Sequence, residues 1–196
     1  MHKVPLQILP VIVLAQFCCT SLWFAGNAVM PELIESFQLP ATAMGHLTSA
    51  VQLGFIFGTF VFAFLTITDR YSPSRIFFAS ALAGALFNLG ILWNDNDLIS
   101  LLSLRFFTGF ALAGIYPVGM KIAADYYRDG LGRSLGFLVG ALVLGTALPH
   151  LIKELTGNIL LKWNYVILAT SVLSTIGGTL IILFIQDGPL RSRRTS

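Results

Sequence analysis

Six long apolar runs account for most of this chain and limit what it can fold into. Hydrophobic residues make up 56% of the sequence and charged residues only 11%. The runs extend over Ile8 to Val29, Met44 to Ile67, Ile76 to Trp93, Leu98 to Ala124, Ser134 to Ile152 and Tyr165 to Ile185. Because about 20 helical residues cross a hydrocarbon core of roughly 30 Å, the pattern predicts an all-α membrane protein with six transmembrane helices.

Two other interpretations of the apolar runs fit less well. A membrane β-barrel would need short segments of alternating hydrophobicity, which this sequence lacks. The first run is longer than the apolar core of a signal peptide and has no well-placed cleavage site, so we expect a retained helix. The adjacent Cys18 and Cys19 lie inside that run, which favours packing residues over a disulfide or a metal site.

The distribution of lysine and arginine predicts the orientation of the helices. If the N-terminus is cytoplasmic, the other face holds only Lys153 and Lys162. The cytoplasmic face then holds Lys3, Arg70, Arg75, Lys121, Arg128, Arg133, Arg191, Arg193 and Arg194. This asymmetry predicts a multi-pass protein of the cell (inner or plasma) membrane with both termini in the cytoplasm. The net charge of +3 is then a consequence of topology and implies no nucleic-acid partner.

The second half of the chain repeats features of the first. Gly45 and Gly58 recur in register as Gly132 and Gly145, each pair around the start and middle of a helix. Each copy contains three helices, so the copies would have opposite orientations. Two inverted three-helix repeats are an arrangement by which secondary transporters place one site near the midplane. Because glycine is common in membrane helices, chance similarity is the alternative.

Two polar motifs interrupt the apolar pattern. The first is the loop from Thr66 to Arg75, TITDRYSPSR, and the second is the segment from Arg105 to Pro117, RFFTGFALAGIYP. On these motifs the chain resembles the N-terminal six-helix half of the major facilitator superfamily, over essentially its whole length. Leu65 and Ser72 stand where the family pattern has glycines. The resemblance implies a secondary active transporter that works by alternating access.

The resemblance also implies a cytoplasmic gate. In the family, the Asp-Arg loop is thought to latch this gate, and here it supplies Asp69, Arg70 and Arg75. Asp125 is the expected partner acid at the end of the fourth helix, and Arg133 lies in the matching loop of the second repeat. An arginine fork suits a carboxylate, and an anion is favoured at a helix N-terminus. Alternatively, these are ordinary loop charges.

Arg105 is the principal candidate for the transport site. It lies about 7 residues inside the fourth run, roughly 10 Å deep. An arginine there costs at least about 2.5 kcal/mol without a partner or a water-filled cavity, so we expect it to face inward. Gly109 and Tyr116 follow on about the same helical face. Resemblance to the family implies proton coupling or anion binding by Arg105, and the alternative is an arginine that snorkels to the headgroups.

Three further polar or aromatic residues within the runs are cavity candidates. Family transporters line their cavity mainly from the first and fourth helices, which would place Asn27 and Trp23 opposite Arg105 and Tyr116, with help from Gln52. Alternatively, an amide in a membrane helix forms hydrogen bonds to a neighbouring helix, and Trp23 could belong to the belt of aromatic residues at the membrane interface. These alternatives remain open.

Small residues predict where helices approach closely. We expect packing roles for Gly109, Gly114, Gly136, Gly140 and Gly145. In the fifth run, Ala141 follows Gly140 where proton-coupled drug antiporters of the family carry proline. Multidrug export is therefore less favoured.

The sequence offers no catalytic motif. It has no metal-ligand spacing and no phosphate loop, so we expect no enzyme, no cofactor and no metal site. We expect residues 1–185 to form the transmembrane domain and 186–196 a basic cytoplasmic tail resembling the start of the linker between family halves.

Three functions remain open for such a chain. The first is proton-coupled transport of a small solute, with an anion favoured. It would require the lipid bilayer and either a second six-helix half or a homodimer. The second is a truncated or partner-binding membrane protein without transport activity of its own, and a pore is a distant third.

Overall fold

The structure, a computed structural model, describes residues 4–156 and 163–191. Within those residues it contains helices and no strand, which confirms the all-α prediction. The helices are α1 (Ile8–Ala28), α2 (Met30–Ser36), α3 (Ala43–Phe64), α4 (Ile67–Arg70), α5 (Pro73–Gly90), α6 (Leu98–Leu112), α7 (Tyr116–Tyr126), α8 (Leu131–Thr156) and α9 (Asn164–Phe184). Of the charges used to predict orientation, Lys3, Lys162, Arg193 and Arg194 lie outside the described residues, as do residues 192–196 of the predicted tail.

Five stretches of the described chain are long and apolar enough to cross a membrane. They are α1, α3, the region Leu98–Tyr126, α8 up to Leu155, and α9. The remaining predicted span corresponds to α5, which has 18 residues and includes Arg75 and Asn88. These two polar side chains lower the mean hydropathy of α5, so it is not among the five. The count of six spans and their inverted repeat therefore remain predictions.

The fourth apolar run is not one continuous α-helix, contrary to the sequence prediction. Helix α6 ends at Leu112 and α7 begins at Tyr116. Between them, Gly114 N–H donates to the Ala111 carbonyl and Ile115 N–H donates to the Leu112 carbonyl. These are the i to i+3 hydrogen bonds of a 3₁₀ turn. Pro117 lies in the first turn of α7, where its missing N–H costs nothing. The α-helix is therefore interrupted near the middle of the run, immediately beside the cavity described below.

Glycines set the closest helix contacts. A Cβ on Gly54 of α3 would lie 1.9 Å from the Phe106 carbonyl oxygen, and one on Gly109 of α6 would lie 1.9 Å from that of Val51. A Cβ on Gly114 would lie similarly close to Ser80 of α5, and a Cβ on Gly145 of α8 would lie similarly close to Thr20 of α1. The helices can approach this closely only because glycine has no side chain.

Gly136 and Gly140, also predicted to pack helices, are exposed on α8. A Cβ on either residue would meet no atom within 4 Å. They therefore mediate no helix contact within the described residues, and a packing role against another chain or segment remains a prediction.

Helix α1 is the centre of the bundle, and α3 and α8 are its flanks. Helix α1 contacts α8 and α9, α9 also contacts α5, and α3 packs on α6. In the most apolar part of α1, 56% of residues are buried, against 28% in α3 and 22% in α8. Phe60 and Phe64 of α3 and Leu144 of α8 are among the large side chains left exposed. The two flanking helices thus present apolar surface that the described chain does not cover.

A buried polar network joins α5 to α9. The amide nitrogen of Asn88 donates to Ser171 Oγ at 2.9 Å and to the Ile167 carbonyl at 3.2 Å. Ser174 Oγ donates to the Ala81 carbonyl at 3.1 Å. Asn88 therefore connects helices and has a structural role.

Candidate functional site

Arg105 lies inside the bundle and binds α1. Its side chain is only 1% exposed, so it does not snorkel to the surface. Nη2 donates to Asn27 Oδ1 at 2.7 Å and to the Trp23 carbonyl at 3.0 Å. The structure thus brings together three of the predicted cavity residues, two on α1 and one on α6.

The same guanidinium has unused hydrogen-bonding capacity. Its Nε and Nη1 are buried and have no hydrogen-bond partner. Among the described residues, no carboxylate forms an ion pair with it. A buried cation with unpaired N–H groups is costly and calls for an additional anionic or polar partner.

Gly26 makes room for this arrangement. A Cβ at this position would lie 3.0 Å from both Cζ and Nη1 of Arg105. The guanidinium therefore rests directly on the α1 backbone, next to the carbonyl of Trp23. Only glycine leaves this space without moving the arginine.

A cavity of about 350 Å³ opens beside Arg105, between α3 and α8. Of the predicted residues, Trp23, Gln52 and Tyr116 line it, whereas Arg105 and Asn27 do not. The remaining lining residues are Thr20, Phe24, Phe55, Leu112, Leu142 and Thr146. Trp23 belongs to both groups, because its side chain lines the cavity and its carbonyl accepts from Arg105. Its ring packs edge-on against Phe55 at 4.8 Å between centroids, which favours a cavity role over an interfacial belt.

The residues predicted to form a gate lie at the basic end of the bundle but are not paired as predicted. Asp125 is 4% exposed and binds Lys121 of its own helix at 2.5 Å. Arg70 and Arg75 line a cleft formed with α9 and the segment that follows it. Asp69 lies in α4. Arg133 lies over the ring of Phe137 at 5.8 Å from its centroid.

The chain after α9 folds back onto α7. Tyr126 Oη donates to the Gln186 carbonyl at 2.7 Å, and Leu190 N–H donates to the Asp125 carbonyl at 3.0 Å. The sequence predicted a tail here but not this contact, because the contact depends on tertiary structure. Asp125 is therefore bound to the tail by its backbone and to Lys121 by its side chain.

Sequence reasoning also missed Gln16 and the two threonines of the cavity. Gln16 is fully buried, both polar atoms of its amide lack partners, and a Cβ on Gly119 would approach its Oε1 to 2.5 Å. The signal for Gln16 was present, since it is an amide within an apolar run. Thr20 and Thr146 gave no comparable signal, because threonine is common in membrane helices.

Comparison with known proteins identifies the family of this chain. The model of the family described as Major Facilitator Superfamily matches residues 12–196, nearly the whole chain. The chain belongs to the major facilitator superfamily. This confirms the resemblance on which the transporter hypothesis was based, and it classes the protein with membrane transporters rather than enzymes.

Curated relatives of this superfamily member are transporters of small solutes. It is 25% identical over 184 residues to the high affinity nitrate transporter 2.5 of Arabidopsis thaliana, covering 88% of this chain and 36% of the relative. It is also 25% identical over 135 residues to the 4-hydroxybenzoate transporter PcaK of Pseudomonas aeruginosa, covering 64% of this chain and 30% of the relative. The chain thus spans about a third of the length of these relatives.

A solved structure shows the same fold. The proton:xylose symporter XylE, bound to 6-bromo-6-deoxy-D-glucose, matches with a TM-score of 0.81 over 93% of this chain and 45% of that one. The identity is 12%, so this similarity supports the fold alone.

Proposed function

We propose that this superfamily member forms half of a secondary active transporter for a small organic or inorganic anion, driven by a proton gradient. The main support for the proposal is Arg105, a buried guanidinium with two nitrogens, Nε and Nη1, that have no hydrogen-bond partner and no ion-pair partner among the described residues. Binding an anion near it would satisfy those groups and offset the cost of the buried charge.

The cavity beside Arg105 supports the same proposal. Its volume of about 350 Å³ falls within the range of roughly 300–1,000 Å³ typical of small-molecule sites. Trp23, Phe55 and Tyr116 supply aromatic surface, while Thr20 and Thr146 supply hydroxyl groups. These features suit a small solute with an apolar body, whose charged end would have to reach Arg105, which binds the Trp23 carbonyl but does not line the cavity. Two relatives are named for nitrate and 4-hydroxybenzoate, which are both anions.

We further propose that the active unit contains a second six-helix body, supplied by another chain, a further segment of the same protein or a second copy. The cavity lies between α3 and α8, which are the two least buried candidate spans. A second body packed on these helices would cover the apolar surface and close the cavity at the midplane, as alternating access requires. In that arrangement the six helices of this half would form two inverted three-helix repeats and move together.

We also propose a topology and a gate for this half. The arginine-rich end would face the cytoplasm of a plasma-membrane protein, in keeping with the positive-inside rule. Asp69, Arg70, Arg75, Asp125 and Arg133 would then form the cytoplasmic gate. Asp125 Oδ2, which has no hydrogen-bond partner among the described residues, would accept from Arg70 or Arg75 while Oδ1 remains paired with Lys121.

The test is uptake by the full chain in liposomes with an inward proton gradient. Nitrate, 4-hydroxybenzoate and the uncharged xylose would be compared, with molar mass in detergent measured in parallel. We expect gradient-dependent uptake of an anion by a dimer, and loss of that uptake in Arg105→Ala. The matched control is Arg128→Gln, an exposed arginine outside both the cavity and the gate, which should keep wild-type uptake.

The outcomes separate the alternatives. Equal uptake of the anions and xylose would refute anion selectivity, and full activity in Arg105→Ala would refute the role of Arg105. A monomer without uptake would refute a second copy as the second body and show that this chain alone does not transport. Its exposed α3 and α8 surfaces would then serve to bind a partner.

A further inference from the structure

A second cleft, unrelated to the transport cavity, lies at the basic end of the bundle. Its volume is about 650 Å³, and it lies between the α4–α5 connection and the chain that follows α9. Arg70, Arg75 and Arg191 line it together with one carboxylate, that of Asp187. The cleft therefore has an excess of positive charge, and its size is within the range of ligand sites.

Two donors at this cleft are buried and unpaired. Ser74 lines the cleft, is 3% exposed, and its hydroxyl has no hydrogen-bond partner. The side chain of Arg191 is 6% exposed; it pairs with Asp187 through Nη1, but its Nε has no partner within the described part of the chain. Buried polar groups are nearly always hydrogen-bonded, so the Ser74 hydroxyl and the Arg191 Nε–H each indicate a missing acceptor.

The cleft also contains the N-terminus of α5. This helix of 18 residues begins at Pro73, and no acidic side chain lies in its first turn. The hydroxyl of Ser72, at the capping position, instead donates to Asp187 Oδ1 at 2.6 Å. The first-turn amides of a helix lack intrahelical acceptors, and the helix dipole favours an anion there.

We propose that this cleft is a binding site for a phosphate group, either that of an anionic lipid or a soluble phosphate. Arg70 and Arg75 would reach the phosphate from the open side, since both are exposed. Ser74 and Arg191 would supply the donors that now lack acceptors. Asp187 would remain bound to Ser72 and Arg191 at the edge of the site, where it fixes the position of Arg191. A phosphate group fits because arginine forks and helix N-termini both favour its geometry and charge.

The two sources of phosphate are distinguished by two assays on the full chain. In the first, inorganic phosphate is titrated into protein in a neutral detergent, and the melting temperature is recorded. In the second, the protein is placed in phosphatidylcholine nanodiscs with a minor fraction of phosphatidic acid, and retained phosphatidic acid is counted by native mass spectrometry. Stabilisation by inorganic phosphate would indicate a soluble ligand, and retention of phosphatidic acid without such stabilisation would indicate a lipid headgroup.

Variants test whether the phosphate group binds in this cleft. We expect Arg75→Gln to weaken binding about tenfold or more, since a charge-assisted hydrogen bond is lost. Ser74→Ala should weaken it less while leaving the fold intact. Arg128→Gln is the control, because it removes an exposed arginine that does not line the cleft. If neither probe binds, or if Arg75→Gln and Arg128→Gln weaken binding equally, the proposal is wrong.

Discussion

Nη2 of Arg105 donates a hydrogen bond of 2.7 Å to Oδ1 of Asn27, and this contact joins α6 to α1 in the middle of the bundle. The donor carries a formal charge and the acceptor is a neutral amide. The bond therefore holds the guanidinium in place without neutralising it. An unneutralised cation held at a fixed position is suited to receive an anion and release it again.

Replacing Asn27 by leucine should destabilise the protein by about 1.5–3 kcal/mol, the usual range for a hydrogen bond to a charged group. The loss arises because Nη2 keeps only the Trp23 carbonyl as acceptor. Asn27→Asp should be better tolerated, since a carboxylate can accept the same bond. The measurement is the free energy of unfolding in mixed detergent micelles.

A double-mutant cycle isolates the interaction. In an Arg105→Met background, Asn27→Leu should cost little, because no buried charge is left without an acceptor. Gln52→Leu serves as the control, because Gln52 is exposed on α3. Equal costs of Asn27→Leu in both backgrounds would show that the bond contributes nothing to stability.

Gly109→Ala and Gly136→Ala should change stability in opposite directions. The added methyl group at Gly109 would collide with the Val51 carbonyl, at a cost of about 1–3 kcal/mol or more. At Gly136 it would meet nothing, and alanine should gain about 0.5–1 kcal/mol from helix propensity. Denaturant titration of the purified chain gives both values. A Gly109→Ala variant as stable as the wild type would contradict the α3–α6 contact, and a destabilised Gly136→Ala would contradict the open position of Gly136.

The sequence predicted the residues of the site better than their partners. The buried position of Arg105 followed from the cost of a charge in the membrane. Resemblance to the family placed Asn27 across a cavity from Arg105, whereas the two side chains are in direct contact. The interruption between α6 and α7 was not predicted, because hydrophobicity does not report whether an apolar run is one helix or two. Pairing of Asp125 with Lys121 was also missed, since a helix neighbour four residues away competes with any distant arginine.

The sequence also did not predict which glycines lie at helix contacts. Gly109, Gly114 and Gly145 lie at helix contacts, whereas Gly136 and Gly140 do not. All five satisfy the same sequence rule, because small residues permit close approach on any face. Which face is covered depends on neighbouring helices that the local sequence does not specify.

The start of α6 should make stability depend on pH. The Ser100 backbone N–H donates to Asp97 Oδ1 at 2.8 Å, and this bond lowers the pKa of Asp97. The folded pKa is thus below the unfolded value of about 3.9. The stabilisation is complete above the unfolded pKa and is lost as pH falls through the folded pKa.

Melting curves of wild type and Asp97→Asn across this acidic range test the prediction. The wild type should be the more stable near neutral pH, and the difference should shrink as Asp97 becomes protonated. Ser100→Ala removes the hydroxyl oxygen that accepts from the Asp97 backbone N–H and completes the capping box, and it should reduce the pH dependence only in part, because the Ser100 backbone N–H remains. A difference that is constant from neutral to strongly acid pH would contradict the role assigned to the carboxylate.

The contact between the tail and α7 should depend on Gly188. A Cβ at this position would lie 2.4 Å from the Asp125 carbonyl oxygen, the acceptor of the Leu190 N–H. Because that atom belongs to the helix backbone, the tail must move in Gly188→Ala. We expect faster hydrogen exchange in the peptide that covers residues 186–191, with little change in α1. Gly132→Ala is the matched control, since a Cβ there meets nothing within 4 Å. Unchanged exchange in Gly188→Ala would mean that the tail is not held against Asp125, and Tyr126→Phe, which removes the bond to Gln186, should then also have no effect.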